Sequence, residues 1–241
     1  FFIAFRTAVV DLTFLIEYAR FLRMNIYNII YMSTHKIISK QFISDTAFVL
    51  KFERNDISFE PGACVSIKNR PYSIASSASD EYIMLLVRKI GEVSTYLSEL
   101  SPDDEIVVQD TFNYFNPGKG MRDGEYVYIA TGVGVAPFLS AFKSYQHKPY
   151  MTAYGIRESK DLIEDLLISS MSHRLVVAVS REDGYAAKRV TDASVLNQIP
   201  LKDNFTYYLC GVDGMIDQVS DHLIHNGVEV TNVKSELFFM Q

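Results

Sequence analysis

The run Thr131-Gly132-Val133-Gly134-Val135-Ala136-Pro137-Phe138 follows directly on the apolar stretch Tyr126–Ala130. A strand that delivers the chain into a glycine turn, with Pro137 early in a following helix, presents backbone N–H groups and a positive helix end to phosphate oxygens. On this reading Gly132 and Gly134 keep Cβ atoms away from the ligand. The spacing is not the dinucleotide fingerprint, because Pro137 stands where a third glycine would be, and no Gly-Lys-Ser/Thr follows to make a P-loop. The plain alternative is a connection within an α/β unit. The chain has two cysteines, Cys64 and Cys210. Two thiols cannot ligate an iron–sulfur cluster or build an all-cysteine zinc site, and without Cys-x-x-Cys no disulfide chemistry is implied. Any metal redox centre that this protein uses is therefore expected on another chain. Cys64 reads as core, and the five histidines show no metal-ligand spacing.

The elements that must position these residues fall into two halves. From Met32 to about Met121 the runs Ile37–Ile43, Ala47–Glu53, Ala63–Ile67, Tyr82–Ile90 and Glu105–Gln109 predict antiparallel strands of a small β-barrel, with one helix around Thr95–Leu100. After Asp123, strand and helix patterns alternate. Tyr126–Ala130 and Met151–Gly155 read as strands, and Pro137–Tyr145 and Lys160–Met171 as helices. The segments Leu175–Val179, Asp192–Gln198, Phe205–Cys210, Gly214–Asn226 and Asn232–Phe239 continue the alternation. Continuous apolar strands alternating with helices predict a parallel α/β sheet. The expected fold is therefore two-domain: an antiparallel β-barrel at 32–121, then an α/β parallel-sheet nucleotide-binding domain at 122–241. Asn116-Pro117-Gly118-Lys119-Gly120 forms the natural boundary.

Residues 1–31 are apolar but interrupted by Arg6, Asp11, Glu17, Arg20 and Arg23, which matches neither a membrane span nor a secretory signal. They read either as an extension not native to the folded unit or as an amphipathic surface helix. The 241 residues are 48% hydrophobic and 22% charged, enough for a packed core and against wholesale disorder. A net charge of −6 argues against a nucleic-acid binder with a wholly basic surface. Two widely separated cysteines make a cytoplasmic setting the default.

Taken together, several segments resemble the ferredoxin/flavodoxin–NADP reductase family of flavoproteins, in its bacterial form. Arg70-Pro71-Tyr72-Ser73-Ile74-Ala75-Ser76-Ser77 resembles the family's Arg-x-Tyr-Ser flavin motif, and Gly91-Glu92-Val93-Ser94-Thr95-Tyr96-Leu97 its Gly-x-x-Ser-x-x-Leu motif. Thr131–Phe138 resembles the nicotinamide-nucleotide pyrophosphate loop. Tyr208-Leu209-Cys210-Gly211-Val212-Asp213-Gly214-Met215 resembles the Cys-Gly segment beside the nicotinamide, and Glu236-Leu237-Phe238 the closing Glu-x-aromatic. The motifs stand in the family's order from about Met32 to the end.

The resemblance implies FAD and NADPH as cofactors and a role for each residue. Arg70 would offer its guanidinium fork to the FAD pyrophosphate, where lysine is not equivalent. Tyr72 would lay its ring against the isoalloxazine, and Ser73 would hydrogen-bond flavin N5. Gly91, Val93 and Ser94 would turn the chain into a helix start facing phosphate, the alternative for Ser94 being a simple cap. Thr131, Gly132, Gly134 and Pro137 would hold the nicotinamide nucleotide. Cys210, Gly211 and Met215 would lie by the nicotinamide. Glu236 would hydrogen-bond Ser73 and Cys210 and help relay a proton, making Ser73, Cys210 and Glu236 the catalytic set. Phe238 would cover the other flavin face. Plain readings of the same residues are a surface arginine, a strand aromatic, a solvated serine and a buried structural cysteine.

NADPH carries a 2′-phosphate that calls for cations. Ser180-Arg181-Glu182 follows Leu175–Val179, Arg189 lies a few residues on, and Arg157 ends the previous strand. Three arginines at strand ends favour NADPH. Lys188 stands where relatives often carry glycine, as does Asn113, whose tolerance of a left-handed backbone would preserve the turn. The implied activity is electron transfer between NADPH and a separate ferredoxin or flavodoxin by a monomeric enzyme, with Lys68, Arg70, Lys119 and Arg122 as candidates for a basic docking face. Alternatives are a reductase component of an oxygenase system, a free-flavin reductase, which the second flavin motif opposes, and a non-catalytic FAD-binding subunit.

Overall fold

The computed structural model describes residues 32–162 and 170–237. The expectations for residues 1–31, for most of the Lys160–Met171 helix and for Phe238 lie outside the described residues. Seven strands build the first half: β1 (Ser33–Ser44), β2 (Ala47–Glu53), β3 (Cys64–Ile67), β4 (Arg70–Ser73), β5 (Tyr82–Arg88), β6 (Glu105–Val108) and β7 (Asp110–Phe112). They form two antiparallel sheets, ordered β5-β2-β1-β6 and β4-β3-β7. A bond from Gln109 N–H to the Ser66 carbonyl (2.9 Å) and a bridge between Ile74 and Leu85 connect them into the expected barrel. Period-two alternation builds its core: Phe48, Leu50 and Phe52 of β2 point inward against Val65, Ile67, Ile83 and Leu85. The turn Lys68-Asn69 has both residues at positive φ (48° and 61°), the twist that a two-residue hairpin requires. It fixes the pairing of Cys64 with Ser73.

Helix α1 (Glu92–Glu99) starts three residues before the sequence-based expectation. Ser94 explains the early start. Its hydroxyl accepts the Ile90 and Gly91 N–H groups and donates to the Gly91 carbonyl, each at 3.0 Å, in a capping box.

The second half is a five-stranded, wholly parallel sheet of β8 (Tyr126–Thr131), β9 (Met151–Ile156), β10 (Arg174–Val179), β11 (Thr206–Gly211) and β12 (Val233–Leu237), ordered β10-β9-β8-β11-β12. Helices α2 (Ala136–Ser144), the single-turn α3 (Ala193–Leu196) and α4 (Asp213–His225) accompany it. Strand order reverses between β8 and β11, and open α/β sheets bind ligands at that point, beyond the carboxyl ends of the strands.

Strand β5 joins the halves. Ile83, Leu85 and Val87 enter the barrel core, whereas Met84 and Leu86 pack with Tyr126, Tyr128 and Phe138 of the α/β half. Both faces of β5 are therefore buried in apolar cores, which sets the sheets against each other. Among the described residues no helix is long and apolar enough to cross a membrane.

Candidate active site

Parallel pairing of β11 with β12 sets Cys210 opposite Glu236. The Glu236 side chain leaves its own sheet and reaches the barrel hairpin. Its Oε2 accepts the Ser73 hydroxyl at 3.1 Å and the Cys210 thiol at 3.2 Å, while Oε1 accepts the Cys64 thiol at 3.2 Å. Cys64 Sγ also lies 3.6 Å from Ser73 Oγ. Burial raises Glu236 above the ordinary carboxylate pKa, and the three donors pull it back down. Burial first, and then the neighbouring carboxylate, push both thiols up, so they stay protonated and act as donors rather than nucleophiles. Neither cysteine is disulfide-bonded. The three residues expected to be catalytic thus share one carboxylate, together with a fourth, Cys64, that had read as core.

At the carboxyl edge of the parallel sheet lies a cavity of about 600 Å³, within the range of small-molecule sites. Nine expected residues line it: Thr131, Gly132, Gly134, Arg157, Ser180, Arg181, Arg189, Gly211 and Met215. Gly132–Val135 form a 3₁₀ turn leading into α2, whose first turn carries no acidic residue. The two glycines of that turn differ in role. A Cβ on Gly132 would meet nothing within 4 Å, so this residue leaves open space. A Cβ on Gly134 would lie 2.5 Å from the Cys210 carbonyl oxygen. Gly134 is therefore needed for close packing on β11, not to clear a ligand, contrary to the expectation from sequence. The loops after β8 and β11 are tied by the Val212 N–H donating to Thr131 Oγ1 at 3.0 Å.

Among the charged residues of the cavity wall, five cations face one carboxylate, Asp161. Arg157, Arg181 and Arg189 converge there as expected, with two more, Arg88 from the end of β5 and Lys188. Arg181 has only a long contact to Glu158 (3.8 Å). Lys188 instead bonds the Glu182 carbonyl and the Asp183 carboxylate (2.8 Å), so its charge is largely committed within the loop.

The barrel residues stand apart from this cavity. Arg70 is exposed on β4, Tyr72 is half-buried against the barrel core, and Gly91 is an exposed helix cap with open space where a Cβ would be. Val93 is half-buried beside Tyr72's core. The Ser94 hydroxyl is spent in its capping box, so the capping alternative describes it and its side chain is not offered to phosphate. Pro137 is buried in the first turn of α2. Asn113 is not in the left-handed region. Its side chain holds the loop instead, donating to the Pro61 carbonyl (3.2 Å) and accepting the Phe115 N–H (3.0 Å). Of the docking candidates, Lys119 pairs with Glu60 (2.5 Å), Arg122 with Glu125 (3.9 Å), and Lys68 sits 3.5 Å over the Tyr96 ring.

Comparison with known proteins fits this arrangement. Residues 128–221 match the family model of the oxidoreductase NAD-binding domain. A ferredoxin NADP⁺ reductase from Neisseria gonorrhoeae, solved with bound FAD and NADP, superposes with a TM-score of 0.75 over 86% of this chain and 99% of that one. The chain shares its fold with the ferredoxin–NADP reductases. At 18% identity that superposition speaks for the fold alone. In sequence, the family member from Synechocystis sp., a ferredoxin–NADP reductase, is 29% identical, covering 70% of this chain and 52% of its own. The toluate 1,2-dioxygenase electron transfer component of Pseudomonas putida is 26% identical, covering 76% of this chain and 60% of its own. The chain thus spans about half to three-fifths of these curated relatives. Sequence reasoning missed the site contacts of Cys64 and Arg88. The first was within reach: a two-residue turn at Lys68-Asn69 pairs Ile67 with Arg70 and, counting outward, Cys64 with Ser73.

Proposed function

We propose that the chain is an FAD-dependent reductase that transfers electrons between NADPH and a separate one-electron carrier, a ferredoxin or a flavodoxin. The observation that carries this reading is Glu236, a carboxylate of the α/β half that binds Ser73 of the barrel and Cys210 of the parallel sheet at once. A group that must manage one proton where two bound rings meet belongs at such a junction. The domain limits proposed with this function are 32–121 and 122–241.

The residues present fit both cofactors. Arg70, Tyr72 and the backbone at Gly91 and Val93 offer a guanidinium fork, a ring face and an open helix start for FAD, and Phe238 is proposed for its other face. The open glycine Gly132, the N-terminus of α2, and Arg157, Arg181 and Arg189 offer phosphate sites for NADPH. When bound, the nicotinamide supplies a hydride and the flavin takes it at N5, passing electrons on singly. The chain's own contributions are positional and electrostatic. Ser73 presents its hydroxyl at the end of β4. Cys210, fully buried and protonated, fills space beside Gly211 without offering a thiolate. Glu236 accepts from both and holds a proton or releases it, its raised pKa bringing that exchange nearer neutrality.

A second reading, a reductase component of an oxygenase system, draws support from the toluate dioxygenase relative and differs only in the acceptor. The test is an anaerobic visible spectrum of the purified protein before and after NADPH, with NADH in parallel. Flavin absorbance bleached preferentially by NADPH is the expected result. Equal bleaching would overturn the arginine reading, and a protein that gains no flavin spectrum with added FAD would overturn the whole.

A further inference from the structure

Three donors converge on Glu236, and one of them has no part in the function proposed above. Cys64 lies on β3, the middle strand of the three-stranded sheet, paired with Ser73 on one side and Phe112 on the other. Ladder bonds on both sides fix its Cβ more firmly than an edge strand would. The side chain is buried, and its S–H is directed at Oε1 of Glu236 while Ser73 and Cys210 share Oε2. A glutamate has three rotatable bonds and two equivalent oxygens. Two donors on one oxygen leave the other to swing, whereas a third donor from a separate strand holds the carboxylate plane.

We propose that Cys64 is a positioning residue: its thiol holds Oε1 and thereby turns Oε2 of Glu236 to Ser73 and Cys210. This rests on the reading of Glu236 as the proton-handling group of the reductase. Other roles for Cys64 do not fit the surroundings. It is buried and kept protonated, which removes nucleophilic chemistry. Among the described residues no three His, Cys, Asp or Glu side chains are grouped to hold a metal ion. A purely space-filling role would not need the S–H to face the carboxylate.

The consequence is a defined effect on proton affinity. The groups acting on Glu236 from the elements packed around it are Cys64 of β3, Ser73 of β4 and Cys210 of β11. Each donor favours the charged carboxylate, so removal of one raises the proton affinity of Glu236. Cys64→Ala is expected to raise the Glu236 midpoint by about one pH unit, the size of one hydrogen bond from a weak donor to a charged acceptor. Cys64→Ser restores an O–H donor on the same Cβ and is expected to keep the midpoint at or below that of the parent protein.

The experiment is an infrared titration of the carboxyl C=O band in the full chain, assigned by its loss in Glu236→Gln. The pH profile of flavin reduction by NADPH is measured on the same samples. A raised midpoint in Cys64→Ala, with Cys64→Ser at or below the parent value, supports the proposal. It is overturned if the midpoint does not move in Cys64→Ala, or if Cys64→Ser rises with it. Should Cys64→Ala fail to fold, Cys64→Ser alone decides by the same criterion. A parent protein that NADPH does not reduce would sink the reductase reading, while the infrared midpoints still decide the role of Cys64.

Discussion

Gly134 and Gly132 stand two residues apart in one turn, and the same substitution should harm the protein in different ways. In Gly134→Ala the new methyl would sit 2.5 Å from the Cys210 carbonyl oxygen, 2.7 Å from its carbon and 2.8 Å from Gly211 Cα. All three atoms are strand backbone, which cannot rotate away as a side-chain tip can. Ordinary contact begins at 3.4 Å, so the turn and β11 must separate by most of an ångström. Overpacking of this kind costs about 2–3 kcal/mol. For a chain of this size that is roughly 4–12 °C in Tm. The displacement also acts on Cys210, whose thiol donates to Glu236 at 3.2 Å.

In Gly132→Ala the methyl meets nothing within 4 Å, but the residue sits at φ +54°. The left-handed backbone costs about 1–2 kcal/mol, roughly 2–8 °C. No strand has to move. Its methyl instead occupies open space at a residue that lines the cavity. Thermal unfolding of the two variants, with titration by NADP⁺, therefore gives a crossed pattern. Gly134→Ala should lose more stability, and Gly132→Ala should lose more nucleotide affinity relative to its loss of stability. Equal falls in Tm with equal losses of affinity would refute the division of labour between the two glycines.

Four other outcomes follow from the same structure. Arg181→Ala with Arg189→Ala should raise KM for NADPH by about tenfold or more while leaving NADH nearly unaffected, since each charge-assisted phosphate contact carries about 1.5–3 kcal/mol. Lys188→Ala should change the ratio less, because that ammonium already bonds Asp183 and the Glu182 carbonyl. His35 is buried and binds the Glu53 carbonyl through Nδ1 (2.8 Å) and Ser33 Oγ through Nε2 (2.6 Å), and burial lowers its pKa from 6.5. The unfolded chain then binds the proton more readily, so stability should fall as pH drops from about 6.5 towards the folded pKa, and His35→Gln should flatten that limb in thermal melts. Glu236 has the opposite sign: its raised pKa means stability falls as pH rises from the unfolded value through the folded one. Glu236→Gln should therefore match or exceed the parent protein in Tm at pH 8 while slowing flavin reduction by NADPH.

Local patterns in the chain carried the fold a long way. Period-two alternation in Ala47–Glu53 and the apolar strands at Tyr126, Met151 and Phe205 rest on burial, which acts on each residue where it stands. The glycine turn was legible as a ligand-facing loop because strand, glycines and proline are adjacent. What was hidden depends on contacts between distant segments. Nothing near Gly134 announces that its neighbour is the carbonyl of Cys210, and nothing near Arg88 announces that β5 ends at a cavity built by the other half. Ser94 was legible in both of its readings, and only the capping-box bonds chose between them. Short β4 and β7 carry too few residues for alternation to be distinct, and Asn113 earns its place through side-chain bonds rather than backbone conformation.

The junction between the halves explains why a strand buried on both faces and a buried carboxylate occur in one molecule. Hydride transfer tolerates little error in the spacing of two bound rings, and each ring would be held by a different half. Apolar burial on both faces of β5 gives strong but non-directional cohesion. It presses the halves together without specifying where Ser73 lies relative to Cys210. Glu236 supplies the missing direction, because hydrogen bonds to a hydroxyl and two thiols form together only when β3, β4, β11 and β12 are in register with one another. Burial raises the Glu236 pKa, so its charged form carries a desolvation cost that the three donors offset in part. The halves also meet through polar groups where Ser77 and Ala78 bond Ser144, but a carboxylate buried at a desolvation cost is better explained by chemistry than by packing.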